Sequence, residues 1–211
     1  MASYAVKEMF LTLQGEGAQA GRRAVFLRFA GCNLWTGREA DRAGAVCRFC
    51  DTDFVGMDGD HGGRYREAGA LAAQAAALWG EDRDQAFIVL TGGEPLLQVD
   101  GPLIDALHAE GFEIAVETNG TIAAPAGIDW ICVSPKGSAE VVQRTGDELK
   151  LVWPQPEIDP ATIEQWDFRH RLIQPMDCIE GEAARDAAIA LVLARPRWRL
   201  SVQTHKMVGL R

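Results

Sequence analysis

Short apolar runs alternate along the chain with longer stretches of helical spacing. The runs cover residues 24–29, 86–90, 113–117, 130–133, 148–153, 171–173 and 199–203. Phe87-Ile88-Val89-Leu90 is apolar throughout, which suits a parallel strand buried on both faces. Residues 66–79 are Ala-rich, and within 101–110 the apolar Leu103, Ile104 and Leu107 recur at helical spacing. Residues 161–166 and 182–194 complete the predicted helices. Such alternation predicts parallel strands joined by crossover helices. Polar and glycine-rich residues follow the strands directly, as Gly31-Cys32-Asn33, Thr91-Gly92-Gly93-Glu94-Pro95, Thr118-Asn119-Gly120, Ser134-Pro135-Lys136, Gln174-Pro175-Met176-Asp177 and Thr204-His205-Lys206. In α/β sheets the carboxyl ends of the strands are where ligands bind. The expected architecture is therefore α/β: a partial (β/α)6-type barrel of mostly parallel strands with one active-site rim. For any single segment the plain alternative is an ordinary loop.

The length of 211 residues fits one domain, 1–211. The net charge of −9 disfavours nucleic acid and anionic membrane surfaces as partners, while leaving room for a local basic pocket. No run approaches the ~18 apolar residues of a membrane span. The first 17 residues carry Lys7, Glu8 and Glu16 and lack the apolar core of a signal peptide. A cytoplasmic location is expected, where disulfides are rare. Five cysteines, an odd number, then read as ligands, reactive thiols or core residues.

Cys32, Cys47 and Cys50 lie between the first predicted strand and the first long helix. Cys47-Arg48-Phe49-Cys50 has the two-residue gap that lets two sulfurs reach one metal centre. Fourteen residues separate Cys32 from Cys47, enough for a loop to fold back. A structural zinc would require four ligands in a closed tetrahedron. A [4Fe–4S] cluster held by three thiolates would keep one coordination position open for chemistry. A fourth ligand is hard to find. Cys132 sits inside an apolar strand and reads as core. Cys178 follows a strand end and His61 lies in a glycine-rich segment.

Three cysteines after a first strand, with Phe49 just before the last, together with Gly92-Gly93-Glu94-Pro95 after the second, resemble the radical S-adenosylmethionine superfamily. The usual cysteine spacing there is three residues then two; this chain has fourteen then two. That long first spacing is similar to the 7-carboxy-7-deazaguanine synthase family. So are Thr12-Leu13-Gln14-Gly15-Glu16-Gly17, Phe26-Leu27-Arg28-Phe29-Ala30-Gly31-Cys32-Asn33-Leu34-Trp35, Cys50-Asp51-Thr52-Asp53, Glu117-Thr118-Asn119-Gly120, Glu148-Leu149-Lys150 and Gln203-Thr204-His205-Lys206. The matches run from one end of the chain to the other.

The resemblance implies a ring contraction of 6-carboxy-5,6,7,8-tetrahydropterin to 7-carboxy-7-deazaguanine with loss of ammonia, on the route to queuosine. It implies a [4Fe–4S] cluster on Cys32, Cys47 and Cys50, S-adenosyl-L-methionine cleaved by one electron from that cluster, and Mg²⁺ on Thr52. Residues expected against S-adenosyl-L-methionine are Phe49, Cys50, Asp51, Gly93, Glu94, Glu117, Ser134, Pro135, Lys136, Gln174, Pro175, Met176 and Asp177. Glu94 has a plainer reading as the cap of the helix after Pro95. Residues expected against the pterin are Leu13, Gln14, Gly15, Glu16, Arg28, Thr91, His205 and the terminal carboxylate of Arg211. Glu16 suits the donor-rich amidine edge, and Arg28 suits the substrate carboxylate through a two-pronged contact. The plainer reading of Arg28 is an ion pair within the protein. The family also implies an electron donor such as flavodoxin or ferredoxin and a homodimer. Two rivals share part of the pattern: an activase that places a glycyl radical on a partner protein, and a zinc-stabilised binding module.

Overall fold

The computed structural model describes residues 3–178 and 181–210. Among these residues nine strands form one sheet: β1 (Tyr4–Leu13), β2 (Arg23–Phe29), β3 (Gly63–Tyr65), β4 (Phe87–Gly92), β5 (Glu113–Thr118), β6 (Trp130–Val133), β7 (Thr145–Trp153), β8 (Asp167–Pro175) and β9 (Arg199–Leu200). Their order is β3-β1-β2-β4-β5-β6-β7-β8-β9. From β2 to β9 every pairing is parallel, and β1 runs antiparallel to both β2 and β3. Among the described residues five α-helices join or follow them: α1 (Ala68–Trp79), α2 (Gly101–Ala109), α3 (Pro160–Ile163), α4 (Gly181–Ala194) and α5 (Thr204–Val208). None is long and apolar enough to cross a membrane.

Alternation along each strand separates two faces. Ile114 and Val116 of β5 pack with Leu71 and Ala75 of α1 and with Leu103 and Leu107 of α2. Leu149 and Leu151 of β7 pack with Phe168, Ile173, Ala188 and Trp198. The opposite face carries only a small apolar floor of Ala24, Phe87, Val89 and Ala115, flanked by Phe26 and Trp130. Above that floor the inner face is polar.

The connection from β1 to β2, residues 14–22, crosses this inner face. Gly17 N–H donates to Ser201 Oγ at 3.0 Å and Ala18 N–H to Glu148 Oε2 at 2.9 Å. Thr204 N–H donates to the Gly15 carbonyl at 2.8 Å. Arg22 grips both carboxylate oxygens of Glu113 at 3.0 and 2.8 Å. One loop thus ties the β1 side of the sheet to the segment after β9, so the sheet is curled into an open barrel. Gly17 is held at φ +74°, and a Cβ there would stand 2.2 Å from Glu148 Oε1, which explains glycine at this crossing.

The predicted runs all correspond to strands; the bounds of 130–133 match β6 and the others differ. β7 and β8 begin earlier than residues 148 and 171, and β9 ends at Leu200 rather than at residue 203. The helix expected over 161–166 is the single turn of α3. β1 and β3 have no counterpart among the predicted runs. Lys7 and Glu8 break the alternation of β1, where the pairing with β2 shifts register between Val6 and Glu8; pairing partners distant in sequence make the strand.

Candidate active site

The carboxyl ends of the parallel strands surround a cavity of about 370 Å³. Cys32 follows β2, and Cys47 and Cys50 end the long segment that begins there; all three line the cavity wall. Cys47 is buried, while Cys32 and Cys50 are half-buried. A hydrogen bond between the thiols of Cys47 and Cys50 lowers Cys50 to about 6 against the opposing pull of burial. The same bond, with burial, pushes Cys47 up. Burial also raises Cys32.

The adjoining wall is the end of β4. A Cβ on Gly92 would lie 2.3 Å from the Phe29 carbonyl oxygen, and one on Gly93 would lie 2.2 Å from the Gly31 carbonyl oxygen and 2.6 Å from Cys32 Cβ. The two glycines let the Cys32 turn lie against β4. Glu94 stands behind this wall, fully buried and not lining the cavity. Its carboxylate accepts from Leu96 N–H at 2.9 Å, Thr118 Oγ1 at 2.8 Å and Asn119 N–H at 2.8 Å. Here it caps the turn after Pro95 and ties β4 to β5.

Below the rim lies a network of charges around the buried Lys150. The Lys150 ammonium sits 2.8 Å from Glu16 Oε2 and 2.9 Å from Glu117 Oε2. Gln203 Nε2 donates to Glu16 Oε1 at 2.8 Å, and Gln14 Nε2 to Glu117 Oε1 at 3.3 Å. Burial works against the Glu16 charge, but Lys150 and its hydrogen bonds prevail and hold the carboxyl at about 2. Burial likewise opposes the Lys150 charge, and Glu117 and Glu16 overcome it, keeping the ammonium ionised. Lys136 is half-buried beside Ser134, donating to its carbonyl at 2.9 Å and to its hydroxyl. Burial lowers its pKa, while the thiols of Cys47 and Cys50 pull the other way.

Leu13, Gln14, Gly15, Glu16, Arg28, Thr91, Glu117, Ser134, Lys136, Gln174, Pro175, Asp177 and His205 all line the same cavity, as do Phe49, Asp51 and Thr52. Pro135 and Met176 flank it without lining it. Arg211 lies outside the described residues. Arg28 Nε is 2.9 Å from Glu8 Oε1, and both residues face the cavity, so the expected cation arrives with a protein carboxylate at its side. His205 packs on Gly15, where a Cβ would come within 2.0 Å of its Nδ1. At the mouth, Lys206 joins Asp51 at 2.8 Å to Asp177.

Three of these groups escape a reading of the sequence as site residues: Lys150, Gln203 and Lys206. Lys150 carried a signal. In Glu148-Leu149-Lys150 two charges flank one apolar residue, and a period of two puts both on the inner face.

Among the described residues no three His, Cys, Asp or Glu side chains gather around a single metal ion. A [4Fe–4S] cluster makes a different demand, because its thiolates ligate separate irons. Three cysteines on one cavity wall are the donor set such a cluster takes, and the residues fit it. Cys132 is buried in β6 with its thiol 3.5 Å from Glu148 Oε1, and Cys178 is exposed and off the cavity wall. His61 is exposed.

No family model matches the chain. It is 65% identical over 209 residues to the 7-carboxy-7-deazaguanine synthase of Bradyrhizobium diazoefficiens, covering 99% of this chain and 100% of that one. It is 36% identical over 207 residues to the synthase of Bacteroides thetaiotaomicron, covering 98% of each chain. The crystal structure of QueE from Escherichia coli superposes with a TM-score of 0.70 at 27% identity, covering 96% of this chain and 95% of that one.

Proposed function

The chain belongs to the 7-carboxy-7-deazaguanine synthase family, and we propose that it forms 7-carboxy-7-deazaguanine from 6-carboxy-5,6,7,8-tetrahydropterin by ring contraction with loss of ammonia, on the route to queuosine. The observation that carries this reading is the placement of Cys32, Cys47 and Cys50 on the wall of the cavity that also holds Glu16, Arg28 and Glu117. When bound, a [4Fe–4S] cluster and S-adenosyl-L-methionine supply one-electron, hydrogen-abstracting chemistry, and the protein positions and shields it.

Cys32, Cys47 and Cys50 hold the cluster. Phe49, Asp51 and Gly93, with Gln174, Pro175 and Asp177 across the mouth, bound the nucleoside. Met176 and Pro135 shape those loops from outside the lining. Glu117, Ser134 and Lys136 meet the polar groups of the methionyl and ribose parts, and Glu94 keeps the β4 end in place from behind. Glu16 accepts from the amidine edge of the pterin. Its low pKa keeps it an acceptor throughout the neutral range. Leu13, Gln14, Gly15, Thr91 and His205 close around the ring. Arg28 meets the substrate carboxylate, and Thr52 offers Mg²⁺ one oxygen, a ligand type that this ion prefers. A flavodoxin or ferredoxin supplies the electron, and the enzyme works as a homodimer in the cytoplasm.

The test is an anaerobic incubation of reconstituted protein with dithionite, S-adenosyl-L-methionine, Mg²⁺ and 6-carboxytetrahydropterin, followed by mass spectrometry. Product that disappears in Cys32→Ala supports the reading. Accumulation of 5′-deoxyadenosine without product retires the pterin as substrate. A colourless protein that takes up zinc instead of iron overturns the cluster.

A further inference from the structure

We propose that Arg42 is the positioning residue of the Cys47–Cys50 thiolate loop, and that the long segment between Cys32 and Cys47 is folded so as to deliver it. The proposal rests on the cluster reading above. Among the described residues, no backbone–backbone hydrogen bond holds residues 47–53. A backbone stretch packed against a cavity wall needs partners for its polar groups. Arg42 supplies two of them: its Nη1 donates to the carbonyl of Arg48 at 3.0 Å and to that of Cys50 at 3.1 Å.

The rest of the segment holds the guanidinium in that pose. Residues 33–46 close on themselves through Val46 N–H to the Leu34 carbonyl at 3.2 Å. A 3-10 turn over Glu39–Gly44 carries Arg42, and Glu39 takes its Nε with both oxygens at 2.9 and 2.8 Å. One guanidinium face lies 4.0 Å over the ring of buried Trp35. Trp35 is itself fixed edge-on to Phe54 at 5.6 Å, with its Nε1–H donating to the Arg38 carbonyl at 3.2 Å. Stacking on one face, a carboxylate on one edge and two carbonyls on the other make a demand only the planar fork meets; a lysine keeps the charge and loses the grip.

That charge has a second consequence. It lies against the backbone of a cluster-bearing cysteine. A cluster gains negative charge on reduction; Glu39 holds the Nε edge of Arg42 while Nη1 faces the cysteine loop, so the pair turns its positive end to that loop and favours the reduced state.

The experiment uses the full-length protein, reconstituted anaerobically, as wild type, Arg42→Lys and Arg42→Met. Iron loss to a chelator and the midpoint potential of the cluster are measured, with circular dichroism of the apo chains as the check on folding. Both variants are expected to lose iron about tenfold faster, the usual effect of removing a partner outside the ligand set. Arg42→Met is expected to lower the equilibrium constant for reduction about tenfold, 59 mV for one electron, and Arg42→Lys to restore most of it. Iron retention at the wild-type rate, or an unshifted potential in Arg42→Met, overturns the assignment. Should Arg42→Met fail to fold, iron loss from Arg42→Lys decides alone. A wild-type chain that takes up no cluster refutes the proposed function instead, so the two failures are separable.

Discussion

Leu149 and Lys150 are neighbours in β7, exposed by 0% and 4%, and are kept from water by opposite means. Leu149 faces the helices, where its burial is favourable in proportion to the apolar area removed from solvent. Lys150 faces the inside of the barrel, where its burial is tolerated because two carboxylates stand within 2.9 Å. The same contrast runs through β5, with Ile114 and Val116 outward and Glu117 inward. The two faces of one sheet thus divide the work. The outer face holds the fold together without chemistry, and the inner face holds charges that a folded outer face keeps in register.

Substitutions on the two faces should therefore differ in kind. The largest effect belongs to the cavity wall: Cys32→Ala should reduce product formation to background while the apo chain keeps its circular dichroism spectrum. Next comes Lys150→Met, which leaves the half-buried Glu16 and Glu117 beside each other without their cation. Urea unfolding should show a loss of roughly 3–5 kcal/mol, accompanied by weakened binding of both the pterin and S-adenosyl-L-methionine. Leu149→Ala should show a loss of about 3 kcal/mol from cavity formation, with kcat/KM of the folded fraction unchanged. A fall in kcat/KM as large as that of Lys150→Met would erase the distinction between the faces.

Acid lability sharpens the contrast further. The Glu16 pKa falls from 4.5 to about 2 on folding, so between these values the unfolded state binds more protons. Its contribution to stability is complete above pH 4.5 and is lost as the pH falls towards about 2. A Glu16→Gln chain should lack that component of the slope in pH-dependent unfolding, and equal slopes would place the titration elsewhere. The smallest effect is expected at the mouth. Lys206 pairs with Asp51 and Asp177 while 40% exposed, so Lys206→Ala should alter stability by less than about 1 kcal/mol. A larger change, read by thermal melting, would mean that the α5 segment is fastened to the rim more firmly than its exposed pairs imply.

Much of this was legible in the order of residues. The apolar runs located seven of the strands, because a strand covered by helices needs continuous apolar sequence. The cysteine spacing and the glycine pair after β4 located the cavity wall. β1 was not legible: Lys7 turns away from solvent to meet Asp53 and Asp58 at 2.8 and 2.7 Å, and no local pattern announces partners that far along the chain. The role of the glycine pair was only half legible. Its missing Cβ atoms make room for the Cys32 turn, an approach that exists only once β2 and β4 are side by side.

By itself the sequence determined the alternation of strands and helices, the three thiols and the family, since periodicity and motif spacing are local properties that survive without coordinates. Only the tertiary structure decided which charges meet. Glu16, Glu117 and Lys150 come from three distant segments, and their pairing depends on the sheet curling until the β1–β2 connection crosses its inner face. Electrostatic energy depends on distance and solvent exposure, and neither exists until the chain has closed around the site.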